Sequence, residues 1–276
     1  MKTESWVETR HGRIALTSSD GDGPPVLFIH GNSSCKEVFR HQLENFGARY
    51  RILAMDLPGH GRSDDAKDPQ ATYTQPSYAE AAIDVLDACD AKHAAVVGWS
   101  LGGHIGIEMI ARRPEIAGLV VTGTPPCGPG TKSVNSAFTP LPHMAFTSKE
   151  IFTAEDSATY ARYTLGEGAI VEADFVAAVA RSDGRARRIM WDHWTEQEQG
   201  VNQIEILRDW GSNVAIIQGR DEPFFDLSYF ERLAKSSLWR GAVHVVDDAG
   251  HAPFWEQPDH FNGLLDQFLH DVHHSR

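Results

Sequence analysis

Six short apolar runs recur along the chain, each stopping at a small or polar residue. They are Val26–Gly31, Arg51–Asp56, Ala94–Trp99, Ala117–Gly123, Val214–Gly219 and Ala242–Val246. None shows the alternation of a half-exposed strand, so each reads as a strand covered on both faces. Helical patterns lie between several of them, near Tyr78–Cys89, Gly102–Arg112, Ser228–Lys235 and Asp259–His270. Strand–helix alternation predicts an α/β fold with a mostly parallel sheet and helices on both sides. Two further strands, Ser5–Thr9 and Gly12–Ser18, read as a hairpin turning at His11–Gly12 and forming an antiparallel edge. The total is an eight-stranded sheet.

One stretch breaks the rhythm. From Pro125 to about Asp209 no buried strand is visible, and helix-like segments such as Ala154–Thr164 and Val171–Arg181 take over. This predicts a core of residues 1–124 and 210–276 with an inserted helical cap over 125–209.

The strongest chemical signal lies between the third run and the next helix, at Gly98-Trp99-Ser100-Leu101-Gly102. A G-x-S-x-G between a strand and a helix has the form of a nucleophile elbow, which lifts a serine hydroxyl to the top of a sheet. Gly98 and Gly102 omit side chains that such a turn cannot hold. An ordinary Gly-rich strand–helix turn is the competing reading.

A serine needs a base to become a nucleophile. The order Ser…Asp/Glu…His directs the search downstream. His251, in Asp247-Asp248-Ala249-Gly250-His251, follows the last strand and precedes the last helix. It is singled out by that position from fourteen histidines, of which His270, His273 and His274 are expected at a fraying end. An acid is expected after the fifth run, in Gly219-Arg220-Asp221-Glu222. Spacing favours Glu222, and Asp221 is the alternative. The backbone N–H groups of Leu101 and Asn32 are the candidate oxyanion donors. Asn32, together with Trp99 beside the serine, is also a candidate substrate contact. Asp56–Ser63 reads as a structural turn beside the site.

Other chemistries lack their motifs. There is no HxH or HExxH, and His60 and His104 have no partner at ligand spacing, so no metal is expected. No phosphate-binding glycine loop is present, and no cofactor is expected. A net charge of −13 argues against nucleic acid and anionic membrane surfaces, leaving a small-molecule substrate. The three cysteines form no disulfide framework, and no signal-peptide pattern opens the chain, so a cytoplasmic location is expected.

Taken in order, HGNSS, DLPGHGRS, GWSLGGHIGIEMIARRPE, GTPP, TYAR, DGRARRIM, GRDEPF and AGHAPF resemble the α/β-hydrolase superfamily, and within it the AidH-type N-acyl homoserine lactonases. The resemblance runs nearly end to end and includes DGRARRIM in the cap, outside the generic motifs. It implies an α/β-hydrolase fold and opening of a lactone ring by Ser100, His251 and Glu222. It also implies lactone contacts from Asn32 and Tyr160, the latter otherwise readable as a core aromatic. Residues 128–144 and the C-terminal helix match less well, which leaves acyl-chain preference open. Phe138, Met144, Phe146, Phe152 and Trp191 are candidates for an acyl pocket. The rival readings are a general carboxylesterase or carbon–carbon bond hydrolase on the same scaffold, and a non-catalytic ligand receptor.

Overall fold

The computed structural model describes residues 2–166, 169–211, 213–233 and 235–274. The strands are β1 (Lys2–Thr9), β2 (Gly12–Ser19), β3 (Pro25–Ile29), β4 (Arg51–Met55), β5 (Ala95–Trp99), β6 (Gly118–Thr122), β7 (Val214–Gly219) and β8 (Val243–Val246). They form one eight-stranded sheet in the order β1-β2-β4-β3-β5-β6-β7-β8. The β1–β2 hairpin is antiparallel and joins β4 antiparallel, while every other neighbouring pair is parallel.

The α-helices are α1 (Arg40–Phe46), α2 (Pro69–Thr72), α3 (Gln75–Ala88), α4 (Leu101–Ile110), α5 (Thr131–Ala137), α6 (Ala154–Leu165), α7 (Ala173–Arg181), α8 (Gly184–Thr195), α9 (Gln203–Trp210), α10 (Pro253–Glu256) and α11 (Pro258–His274). Helices α5 to α9 lie between β6 and β7, in the stretch expected as an insertion, and the last of them, α9, packs on the sheet through Leu207. Helix α3 starts three residues before the expected Tyr78, because Thr74 caps the Ser77 N–H and Pro76 suits the first turn. The helix expected over Ser228–Lys235 is instead a 3-10 turn over Leu227–Arg232, and residue 234 lies outside the described residues. Helix α11 carries His270 and His273 and extends to His274. Among the described residues no helix is long and apolar enough to cross a membrane.

Strands β3 to β7 are mostly apolar because both faces of the sheet are covered there. Leu27, Ile29, Val96 and Leu119 pack toward Ile83 and Leu86 of α3, Ile105 and Met109 of α4 and Leu207 of α9. Val26, Phe28, Val97 and Val120 face Phe46 of α1 and Phe261, Leu265 and Phe268 of α11. Every residue of α4 is buried. Parallel pairing places the carboxyl ends of β3, β5, β7 and β8 along one edge, where ligands of open α/β sheets bind.

Helix α4 lies very close to the sheet. A Cβ on Gly102 would fall 2.1 Å from the Ile29 carbonyl oxygen, and one on Gly98 would fall 2.2 Å from the Gly102 oxygen. Both obstacles are backbone, so they cannot rotate away. Gly102→Ala is therefore expected to cost about 2 kcal/mol or more, the usual range for overpacking. Gly263→Ala is the control, because a Cβ there meets nothing within 4 Å on helix α11. It should be neutral or stabilise by up to about 1 kcal/mol. Urea unfolding of both variants checks this, and equal midpoints would contradict the packing argument.

Candidate active site

Ser100 occupies the turn from β5 into α4 with φ 54° and ψ −117°, a conformation rare for any residue but glycine. Its own N–H is held by the Thr122 carbonyl at 2.8 Å, and its carbonyl accepts from the Thr124 hydroxyl at 2.9 Å. The loop after β3 closes on it: a Cβ on Gly31 would lie 3.1 Å from the Ser100 Cβ. Asn32 and Leu101 therefore flank the serine from two sides. Neither backbone N–H has an acceptor among the described residues.

His251 and Glu222 meet behind this turn. The imidazole Nδ1 lies 2.8 Å from Glu222 Oε2 and 3.0 Å from Oε1. The two side chains are 3% and 0% exposed, so the pair is shielded from water. Glu222 Oε1 also accepts the Phe224 N–H at 2.9 Å. A carboxylate has no proton to donate, so Nδ1 carries the hydrogen and Nε2 keeps its lone pair. Asp221 is exposed and takes no part; its N–H bonds Ala249 O. Arg220 pairs with Asp247.

Ser100, Leu101, Asn32, Tyr160 and His251 line one cavity of about 50 Å³ between core and cap. That is space for a water or two. Phe138, Met144 and Trp191 line it as well, but Phe146 and Phe152 do not and pack against Tyr160 instead. Burial pushes the Tyr160 hydroxyl well above its ordinary range, so it stays protonated. A larger cavity of about 620 Å³, lined by Lys36, Glu37, Arg40, Glu172 and Arg181 among others, contains none of these residues.

Trp99 departs from expectation. It does not line the cavity; its indole N–H donates to His251 O at 2.9 Å and its ring packs on His251 and Phe254. The backbone of β5 alternates its side chains, so the residue before Ser100 points below the turn rather than above it. Trp99 supports the histidine loop and stands outside the cavity lining. The Asn32 side chain also has another partner, donating to Thr147 O in the cap at 3.1 Å.

Three supporting residues were not apparent from the sequence. Glu256 accepts the N–H groups of Gly250 at 2.9 Å and Ala252 at 3.3 Å, the residues on either side of His251. Burial raises its carboxyl above the usual range. An acid in the first turn of a helix just beyond the histidine was a visible signal. Arg187, in DGRARRIM, is 2% exposed and donates to Ser33 Oγ at 3.0 Å and to the Lys149 and Glu150 carbonyls, with its guanidinium 3.8 Å from the Phe152 ring centroid. His104, one helical turn after Ser100, lines the cavity. Among the described residues no group of His, Cys, Asp and Glu is placed to hold a metal.

The histidine of HGNSS fixes the loop that follows β3. His30 accepts the Leu57 N–H at Nε2 (3.0 Å), and its Nδ1 faces Gly31 O at 2.7 Å. His60 packs beside it at a tilt, with ring centroids 5.3 Å apart.

The match to the α/β-hydrolase fold family covers residues 24–258. The chain belongs to that family. Two solved structures extend this α/β-hydrolase's likeness to its full length. N-acyl homoserine lactonase AidH, as a glutamate-to-glycine variant with N-hexanoyl homoserine, is 45% identical with a TM-score of 0.92, covering 99% of this chain and 98% of its own. A serine-to-glycine variant of AidH, complexed with N-hexanoyl homoserine lactone, is 46% identical with a TM-score of 0.91, covering 98% of each chain. A 2-hydroxy-6-oxononadienedioate/2-hydroxy-6-oxononatrienedioate hydrolase from a Pseudomonas species is 28% identical over 94% of this chain and 92% of its own.

Burial lowers His30 to about 4 and His60 to about 3. Both are neutral in the folded enzyme, whereas the unfolded chain protonates them near 6.5. The unfolded state thus binds more protons as pH falls, so stability is full above about 6.5 and lost on the way to about 4. Each imidazole accounts for a loss on the order of 2 kcal/mol by about pH 5. The urea midpoint should fall between about pH 7 and about pH 5; a level midpoint would contradict the neutral buried pair.

Proposed function

We propose that this enzyme opens the ring of N-acyl homoserine lactones, with Ser100 as nucleophile, His251 as base and Glu222 as its orienting acid. The observation that carries the reading is the 45% identity to AidH over 99% of the chain. The protected His251–Glu222 contact at 2.8 Å supports it.

In this reading His251 Nε2 takes the Ser100 hydroxyl proton as Oγ attacks the ring carbonyl. Negative charge develops on the carbonyl oxygen, and the Asn32 and Leu101 N–H groups stabilise it. The imidazolium, held by Glu222, returns the proton to the ring oxygen as the carbonyl–oxygen bond breaks. The alcohol so formed stays tethered to the acyl group. Water, deprotonated by His251, then cleaves the Ser100 ester and releases the N-acyl homoserine. The cap over 125–209 closes the site, and Tyr160, on its helix α6, contacts the lactone. A small-molecule substrate, no cofactor and a cytoplasmic site of action belong to the same proposal.

Ser100→Ala should reduce turnover by several orders of magnitude. Glu222→Ala should be severe and Asp221→Ala mild, because only Glu222 touches the imidazole. Mass spectrometry of N-hexanoyl homoserine lactone after incubation should show a gain of one water; intact lactone beside a hydrolysed linear hexanoate ester would favour a general carboxylesterase. Equal losses in the Glu222 and Asp221 variants would contradict the assigned acid.

A further inference from the structure

We propose that His104 is the hydrogen-bond acceptor for an N–H donor on the substrate, so that the site selects acylamino lactones over lactones without one. The inference rests on the lactonase reading and deepens it.

His104 follows Ser100 by one turn of α4 and lines the same cavity as Ser100 and His251, with 4% of its surface exposed. Its protonation pattern follows from its neighbours. Gln203 Oε1 accepts the Cys127 backbone N–H at 3.2 Å, and a backbone N–H only donates, so this atom is the amide oxygen. The Gln203 NH₂ group points the other way, to Gln75 Oε1 at 3.3 Å. His104 Nδ1 lies 2.8 Å from that same Gln203 oxygen. An oxygen acceptor requires a hydrogen on Nδ1.

Burial lowers the imidazole to about 4, and a positive charge on His251 acts in the same direction. His104 is therefore neutral, with its one hydrogen committed to Gln203. Nε2 carries a lone pair and has no protein partner among the described residues. Phe138 and Trp194 pack around the ring, with centroids 6.3 and 4.8 Å away. A donor reaching such an acceptor from the cavity gains a hydrogen bond there.

Carboxylic esters and plain lactones offer no donor to it. An acylamino lactone offers one on the ring carbon next to the reacting carbonyl. The Gln75–Gln203–His104 chain thus presents an acceptor where only a substrate bearing an N–H gains from it.

The test compares kcat/KM for N-hexanoyl homoserine lactone and for a γ-butyrolactone carrying an alkyl chain of equal length on the same ring carbon. The native enzyme should prefer the acylamino lactone by about tenfold, the worth of one hydrogen bond. In His104→Leu the ratio should fall toward one, and His104→Gln, which keeps an acceptor, should restore part of it. A merely structural role leaves the ratio unmoved, and that result overturns the proposal. A third arm needs no variant: N-methylation of the substrate amide should cost the native enzyme about as much, and no loss would equally overturn it. If the native enzyme cleaves neither lactone but does cleave a linear hexanoate ester, the lactonase reading itself fails and this assignment goes with it.

Discussion

The close approach of helix α4 to the ends of β3 and β6 is the contact on which the rest of this structure depends. Ser100 holds φ 54° and ψ −117° only because packing on every side of the turn prevents relaxation. Such backbone strain costs of order 1–3 kcal/mol. The wholly buried helix behind it offsets that cost through apolar contact with the sheet. The same turn sets Ser100 and Leu101 on one cavity and brings the Gly31–Asn32 loop against Ser100. Geometry at the reacting centre is thus a consequence of how tightly a helix packs on a sheet.

The seam between core and cap forms the second layer. Asp183 is its hub: its N–H bonds Gly59 O at 2.8 Å and its carboxylate accepts the Tyr73 hydroxyl at 2.6 Å. Arg187 reaches Ser33, and Asn32 reaches Thr147, so the loop carrying a proposed oxyanion donor is tied to the cap from both directions. At the far end Glu108, on α4, accepts the Val201 N–H at 2.7 Å. Of these ties, the one between Asn32 and Thr147 lines the cavity itself.

Much of this was legible in the sequence. The parallel strands appear there as apolar runs because burial on both faces removes any need for polar positions. The serine, the histidine and the acid could be located because each must follow a strand at one edge of the sheet. Spacing favoured Glu222 over Asp221 without separating them; in the structure the Glu222 carboxylate meets His251, while Asp221 is exposed. What the sequence hid is what depends on side-chain direction. Trp99 was misread because neighbouring strand residues point to opposite faces. Helices α8 and α9 were obscured because the polar residues of α8 include Arg187, which is buried by carbonyls and an aromatic ring rather than by a carboxylate. The role of His104 emerges only from the amide orientation of Gln203, a residue ninety-nine positions away.

The central claim is that Ser100 is activated by the His251–Glu222 pair. A fluorophosphonate probe followed by peptide mapping tests it most directly, since such reagents capture only an activated hydroxyl. The account predicts a single adduct, on Ser100, formed much more slowly when Glu222 is replaced by alanine. An adduct on another residue, or none after prolonged exposure of the native enzyme, would contradict it.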